Sequence, residues 1–267
     1  MAALALVFTA SQVLAQDYEA GLEAYNAGDY EAALEEWRPL AEQGNASAQY
    51  KLGQLYRIGN GGVLQDYAEA AKWYRLAAEQ GDADAQSSLG VMYDKGQGVP
   101  QDHAESFKWH RLAAEQGDAI AQVNLGYAYS LGLVVLEDYA EAARWYRLAA
   151  EQGNADAQIN LGYVYSSGQG VLQNYAEAAK WYRLAAEQGN VIAQNNLGFM
   201  YSERRGVPQD YTTAHMWYNL ASLTGNADGA NGGKYRDLLA AKMTPAAIEE
   251  AQRRARVCLE SQYKDCD

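Results

Sequence analysis

The chain holds no apolar run of about eighteen residues or more, which excludes a membrane-spanning helix of the usual length. Positive charge is sparse. Against 34 Asp and Glu stand 21 Lys and Arg, giving a net charge of −13 and a pI near 4.7. Phosphate recognition depends on clustered Lys and Arg, so this balance argues against nucleic acid or an anionic membrane as partner and favours a basic or neutral one. Cysteine is nearly absent: Cys258 and Cys266 are the only pair, both near the C-terminus. In an oxidising compartment they would join in one disulfide that staples the tail to the last helix; in a reducing one they remain two thiols. Charge is also missing from residues 1–15, MAALALVFTASQVLA, whose apolar stretch ends at Val13-Leu14-Ala15. Small residues there suit signal peptidase, so 1–15 reads as a secretory signal cleaved after Ala15. The positive segment that normally opens a signal is missing, which leaves an upstream start or an ordinary apolar helix end as alternatives. An exported protein, periplasmic or secreted, is the expectation.

What the chain has in quantity is repetition. Trp145 to Gly153 reads WYRLAAEQG and returns at Trp73 to Gly81 and Trp181 to Gly189, with variants opening on Trp109 (WHRLAAEQG) and Trp217 (WYNLASLTG). The closing glycines, Gly81, Gly117, Gly153, Gly189 and Gly225, follow at steps of 36 residues, and the tryptophans keep that step from Trp37 to Trp217. A fixed period of this length means one helical unit stacked many times. The fold class is therefore all-α, an α-solenoid of stacked antiparallel helix pairs. Five full copies span 46–82, 83–118, 119–154, 155–190 and 191–226. A shorter helix pair precedes them at 16–45. Residues 227–267 read as a degenerate capping unit, whose last helix opens on Thr244-Pro245 and turns Glu249, Glu250, Arg253, Arg254 and Arg256 to solvent.

Local chemistry marks the helices. First helices start after Asn45, Asp82, Asp118, Asn154 and Asn190, short polar residues that cap free N–H groups. They carry Ala-Gln-x-x-Leu-Gly-x-x-Tyr, as in Ala121, Gln122, Leu125, Gly126 and Tyr129. Ala, Leu and Tyr at four-residue steps form an apolar stripe, and the mid-helix Gly, which costs about 1 kcal/mol of helix propensity, lets another backbone come close. Second helices start at Asp66, Asp102, Asp138, Asn174 and Asp210. In the first four a Glu follows three residues later (Glu69, Glu105, Glu141, Glu177), which predicts a capping box. The tryptophans are the large buried anchors.

The period, the Ala-x-x-x-Leu-Gly-x-x-Tyr pattern, the Gly-x-Gly-Val-x-x-Asp loop and Ala-x-x-Trp-Tyr-x-x-Ala-Ala-x-x-Gly together resemble the Sel-1-like repeat family, relatives of tetratricopeptide repeats with a longer loop inside each unit. The resemblance covers residues 46–226, and 17–45 looks closer to a tetratricopeptide pair. The ending, with Met243-Thr244-Pro245, Ala251-Gln252 and Tyr263 to Cys266, is similar to the tails of exported bacterial members. The resemblance implies a right-handed α-solenoid that scaffolds complexes or regulates signalling, with no single activity. Secreted cysteine-rich relatives linked to β-lactams carry a disulfide within each repeat, and this chain has no such pairs.

Positions shared by every copy answer to stacking, so ligand contacts are expected where copies differ yet point the same way. On the first helices such a stripe holds Lys51 and Gln54, Ser88 and Val91, Asn124 and Tyr127, Asn160 and Tyr163, and Asn196 and Phe199. By analogy with tetratricopeptide repeats this stripe lines an inner wall. Its asparagines would form a ladder of amides facing an extended peptide, flanked by the aromatics. The alternative is that the amides bond one another or water and the rings are packing. A second candidate is Leu131-Gly132-Leu133-Val134-Val135-Leu136, either a contact patch or a loop folded onto its own unit. Val134 stands where another copy has Gly98, so either the turn changes or Val is strained.

Catalytic chemistry finds little to stand on. His103 and His110 fill slots held by Tyr67 and Tyr74 one copy earlier and read as aromatic packers, not as metal ligands. Ser261-Gln262-Tyr263-Lys264 matches Ser-x-x-Lys without the companion motifs of penicillin-recognising enzymes, and chance explains it. No catalytic residue, metal or cofactor is expected. The reading is a monomeric, non-enzymatic scaffold in the cell envelope that binds a protein or peptide; an envelope enzyme or glycan binder is the alternative.

Overall fold

A computed structural model describes residues 18–266; the expected signal, residues 1–15, lies outside the described residues. Helices α1 (18–27) and α2 (Tyr30–Glu42) lead. The five copies follow as α3 (Ala46–Ile58) with α4 (Tyr67–Glu79), α5 (Ala83–Lys95) with α6 (His103–Glu115), and α7 (Ala119–Leu131) with α8 (Tyr139–Glu151). Next come α9 (Ala155–Ser167) with α10 (Tyr175–Ala186) and α11 (Val191–Ser202) with α12 (Tyr211–Ala221). The chain finishes in α13 (Ala227–Ala240) and α14 (Pro245–Glu260). It gathers into two compact units, one ending at Leu125 and the other beginning at Gly126. In the first, α2 to α6 pack each on the next; in the second, α8 to α12 do so, and α13 and α14 both pack on α12.

The caps are where the sequence puts them. Asn45, Asp82, Asn154 and Asn190 each accept an N–H from the first turn of the helix that follows. Asp66, Asp102, Asp138 and Asn174 each accept two, satisfying donors that a helix start leaves free. The reciprocal half of the capping box is absent, which corrects the expectation. The N–H groups of Asp66, Asp102, Asp138 and Asn174 donate to the carbonyls of Tyr56, Tyr93, Tyr129 and Tyr165, at the end of the preceding first helix. With that donor taken, Glu69, Glu105, Glu141 and Glu177 pair with Lys72, Lys108, Arg144 and Lys180 one turn on. Such exposed pairs are screened by water and add little to stability.

Stacking rests on three contacts that recur copy by copy. Each mid-helix glycine lies under the aromatic ring of the second helix. A β-carbon on Gly53, Gly90, Gly162 or Gly198 would stand 2.5–2.8 Å from the ring of Tyr74, His110, Tyr182 or Tyr218. The close approach therefore admits a side chain, where the sequence suggests a backbone. Next, a buried glutamine opens each first helix. Gln158 donates to the Ala150 carbonyl at 3.2 Å, and Gln188 from the end of the following second helix donates to its Oε1 at 2.8 Å. Gln49 with Gln80, and Gln86 with Gln116, repeat the arrangement in the first unit. Finally, Arg38, Arg75 and Arg147 reach eighteen residues forward to the hydroxyls of Tyr56, Tyr93 and Tyr165. Trp37 and Trp217 are fully buried, and Trp73, Trp145 and Trp181 nearly so. One indole taken from water is worth at most roughly 5 kcal/mol.

At the C-terminus Thr244 caps α14 and Pro245 takes its first turn. A disulfide joins Cys258 to Cys266, and both sulfurs belong to a core shared with Trp217, Met216 and Leu220. Arg254 departs from the expectation that it faces water: it is half-buried and donates to the Thr213 hydroxyl of α12 at 3.1 Å.

Candidate functional site

In the second unit the predicted stripe forms the walls of pockets that recur in register. Tyr127 of α7 and Tyr163 of α9 flank a pocket of about 320 Å³, with Tyr139 and Tyr146 of α8 completing it and Ser130 and Asn160 lining it. One repeat later, Tyr163 and Phe199 flank a pocket of about 310 Å³, completed by Tyr175 and Tyr182 and lined by Ser166 and Asn196. Tyr163 is the shared partition. A third pocket, about 380 Å³, opens between Phe199 and Tyr235 of α13, with Tyr218 and Lys242 in its lining. Tyr127, Tyr163 and Phe199 are 43–56% exposed although bulky and aromatic, because they stand on the open side of helices whose other faces carry the core.

The tyrosines behind these walls are neutral donors. Burial pushes the Tyr182 phenol up to about 12, with the Ser166 hydroxyl pulling the other way. Tyr146 is raised in the same manner, opposed by Ser130. Asn160 and Asn196 do not bond each other. The Nδ2 of Asn160 is buried without an acceptor, so an incoming ligand meets its Oδ1 edge.

In the first unit Gln54, Ser88 and Val91 line one pocket of about 200 Å³, in which Arg57 and Lys95 also stand. Lys51 instead lies over the rings of Tyr25 and Tyr50, at 5.6 and 5.8 Å, with a 3.4 Å contact to Gln54. Asn124 is half-buried and belongs to the first unit, whereas Asn160 and Asn196 belong to the second.

The second-helix tyrosines, Tyr139, Tyr146, Tyr175 and Tyr182, are what sequence reasoning missed. They are shared by most copies and so read as stacking residues, yet each turns part of its ring to a pocket. The signal that could have found the site lies in the loops, where Gln169 in one copy becomes Arg205 in the next.

Most of the apolar loop faces solvent, with Val135 half-buried. Leu131 and Leu133 are more than half exposed and Leu136 almost wholly so. Val134 keeps negative φ, so the turn changes, whereas Gly98, Gly170 and Gly206 keep positive φ.

His110 lies buried against Gly90, and burial lowers its pKa to about 4, with Asp94 and Asp118 acting in the opposite sense. His103 sits outside, 2.8 Å from the Asp94 carboxylate. Among the described residues no cluster of His, Cys, Asp and Glu is arranged to hold a metal ion, and no helix is long and apolar enough to cross a membrane.

The Sel1 repeat model matches residues 46–82, 83–118, 119–154, 155–190 and 191–226. The crystal structure of a Sel1 repeat protein from Oxalobacter formigenes is 34% identical, with a TM-score of 0.77 over 88% of this chain and 96% of that one. A protective antigen of uropathogenic Escherichia coli with an SLR fold is 29% identical, with a TM-score of 0.49 over 94% of this chain and 69% of that one. No curated protein matches the chain.

Proposed function

This chain belongs to the Sel1 repeat family, whose members are generally protein-interaction scaffolds, and on that footing we propose that it binds a protein or peptide partner through the open face of its first helices. The observation that carries the reading is the run of half-exposed aromatics, Tyr127, Tyr163 and Phe199, which partition successive pockets one repeat apart. Pockets at a fixed repeat suit an extended chain whose side chains enter in turn, with Asn160 and Asn196 offering amides to its backbone. The role is that of a non-enzymatic adaptor.

We place the protein outside the cytoplasm, in the periplasm or beyond. The Cys258–Cys266 disulfide supports this, because such bonds persist in oxidising compartments. Residues 1–15 as a cleaved signal belong to the same proposal. The test of the binding face is to replace Asn160 and Asn196 together with Ala and measure crosslinking to partner in the exported fraction. Loss of partner with an unchanged melting temperature is expected; retained partner would remove the face from consideration.

A further inference from the structure

The pocket between Tyr127 and Tyr163 differs from the others in what it lacks. Each of the other three carries a cation of this chain in its lining: Arg57 and Lys95, Arg205, or Lys242. The Tyr127–Tyr163 pocket has four tyrosines and no cation in its lining. The copy that follows shows how such a cage takes a cation of the chain on its wall. There Arg205 donates to the Tyr175 hydroxyl at 2.8 Å and holds its guanidinium carbon 5.0 Å from the centre of the Tyr175 ring. One repeat earlier Tyr139 stands in the place of Tyr175, and Gln169 in the place of Arg205.

A second substitution points the same way. Gln65, Gln101, Gln173 and Gln209 each donate to a carbonyl at the end of the preceding first helix. At the equivalent place this copy has Glu137, a carboxylate that cannot donate. Its charge, after desolvation, is the main influence raising the pKa of the Tyr139 phenol. The cage thus has an acid beside it where the other copies have a structural amide, and an amide within it where the next pocket has a cation. A ring face turned to a cation, with an acid nearby and a net charge of −13 behind it, attracts a guanidinium and repels an anion.

We propose that the Tyr127–Tyr163 pocket receives an arginine side chain from a basic segment of the protein partner, at the position that Arg205 takes against Tyr175 in the neighbouring pocket. This rests on the reading of the first-helix face as the partner surface and adds the chemistry of what binds there. The guanidinium lies over Tyr139, and the Asn160 Oδ1 and the Glu137 carboxylate accept its N–H groups.

The test titrates the full chain with acetylated, amidated tri-arginine by calorimetry, with tri-citrulline as the neutral isostere. Wild type should bind tri-arginine and not tri-citrulline. Gln169→Arg, which copies the Arg205 arrangement, should weaken binding on the order of tenfold without lowering the melting temperature. Glu137→Gln, which restores the residue of the other copies, should also weaken it. Gln252→Arg, the same charge change on exposed α14, should leave it as it was. Equal binding of tri-citrulline, no binding of tri-arginine, or wild-type affinity in Gln169→Arg would each overturn the proposal. If partner crosslinking from Tyr163 persists in that event, the face stands and only the arginine pocket falls.

Discussion

Gly162 lies under the ring of Tyr182, so close that a β-carbon on the glycine would stand 2.7 Å from the ring. Alanine is the better helix former by about 1 kcal/mol, yet here it meets a buried ring with nowhere to go. Gly162→Ala should destabilise the protein by about 1–3 kcal/mol in chemical denaturation. A gain in stability would mean that the ring is free to move and that the glycine serves some other end.

The buried glutamines carry a separate expectation. Gln158→Leu removes the donor to the Ala150 carbonyl and the acceptor for Gln188. It should cost about 1–3 kcal/mol, because polar partners are left unpaired in the core. Gln252→Ala on exposed α14 should change stability by less than about 0.5 kcal/mol. Equal effects at the two sites would reduce the glutamine ladder to ornament.

His110 makes the fold sensitive to acid. Its folded pKa of about 4 lies below the value near 6.5 of an exposed imidazole, so the unfolded chain binds the proton more readily. The stabilisation is complete above pH 6.5 and is lost as pH falls towards 4, by an amount on the order of 3 kcal/mol. His110→Tyr, the residue found over the glycine in other copies, should remove this part of the acid sensitivity. The comparison of denaturation midpoints at neutral pH and near pH 4.5, wild type against variant, isolates it from the carboxylates. Parallel losses in both proteins would show that His110 does not titrate in this way.

Trp145 is 7% exposed within the second unit. Trp145→Ala should cost about 3–5 kcal/mol by opening a cavity in the stack. Thermal melting is the readout, and an unchanged transition would contradict the role of the indole as anchor.

The helix pairs and their caps were legible because both depend on local chemistry: Asn154 or Asp66 before a helix does its work wherever the rest of the chain goes. The capping boxes were misread for the complementary reason. Whether Glu69 reaches back to Asp66 depends on the Tyr56 carbonyl, ten residues earlier, which takes that N–H first. The close approach at Gly162 could be read from the glycine, but not that a tyrosine ring fills it. Half of the site was legible as well, since Tyr127, Tyr163 and Phe199 stand on a surface stripe that differs between copies. Tyr139 and Tyr175 were not. Their near-constancy hides a second task, which shows only when the loop residue opposite, Gln169 or Arg205, is seen against the ring.

The most direct test of the binding face places a photo-reactive phenylalanine analogue at Tyr163 in one protein and at Lys180, an exposed residue of α10, in another. After irradiation in the exported fraction, the account predicts one discrete partner adduct from position 163 that is lost when Asn160 and Asn196 are replaced by Ala, and none from position 180. An adduct from position 180 with none from position 163 would contradict it.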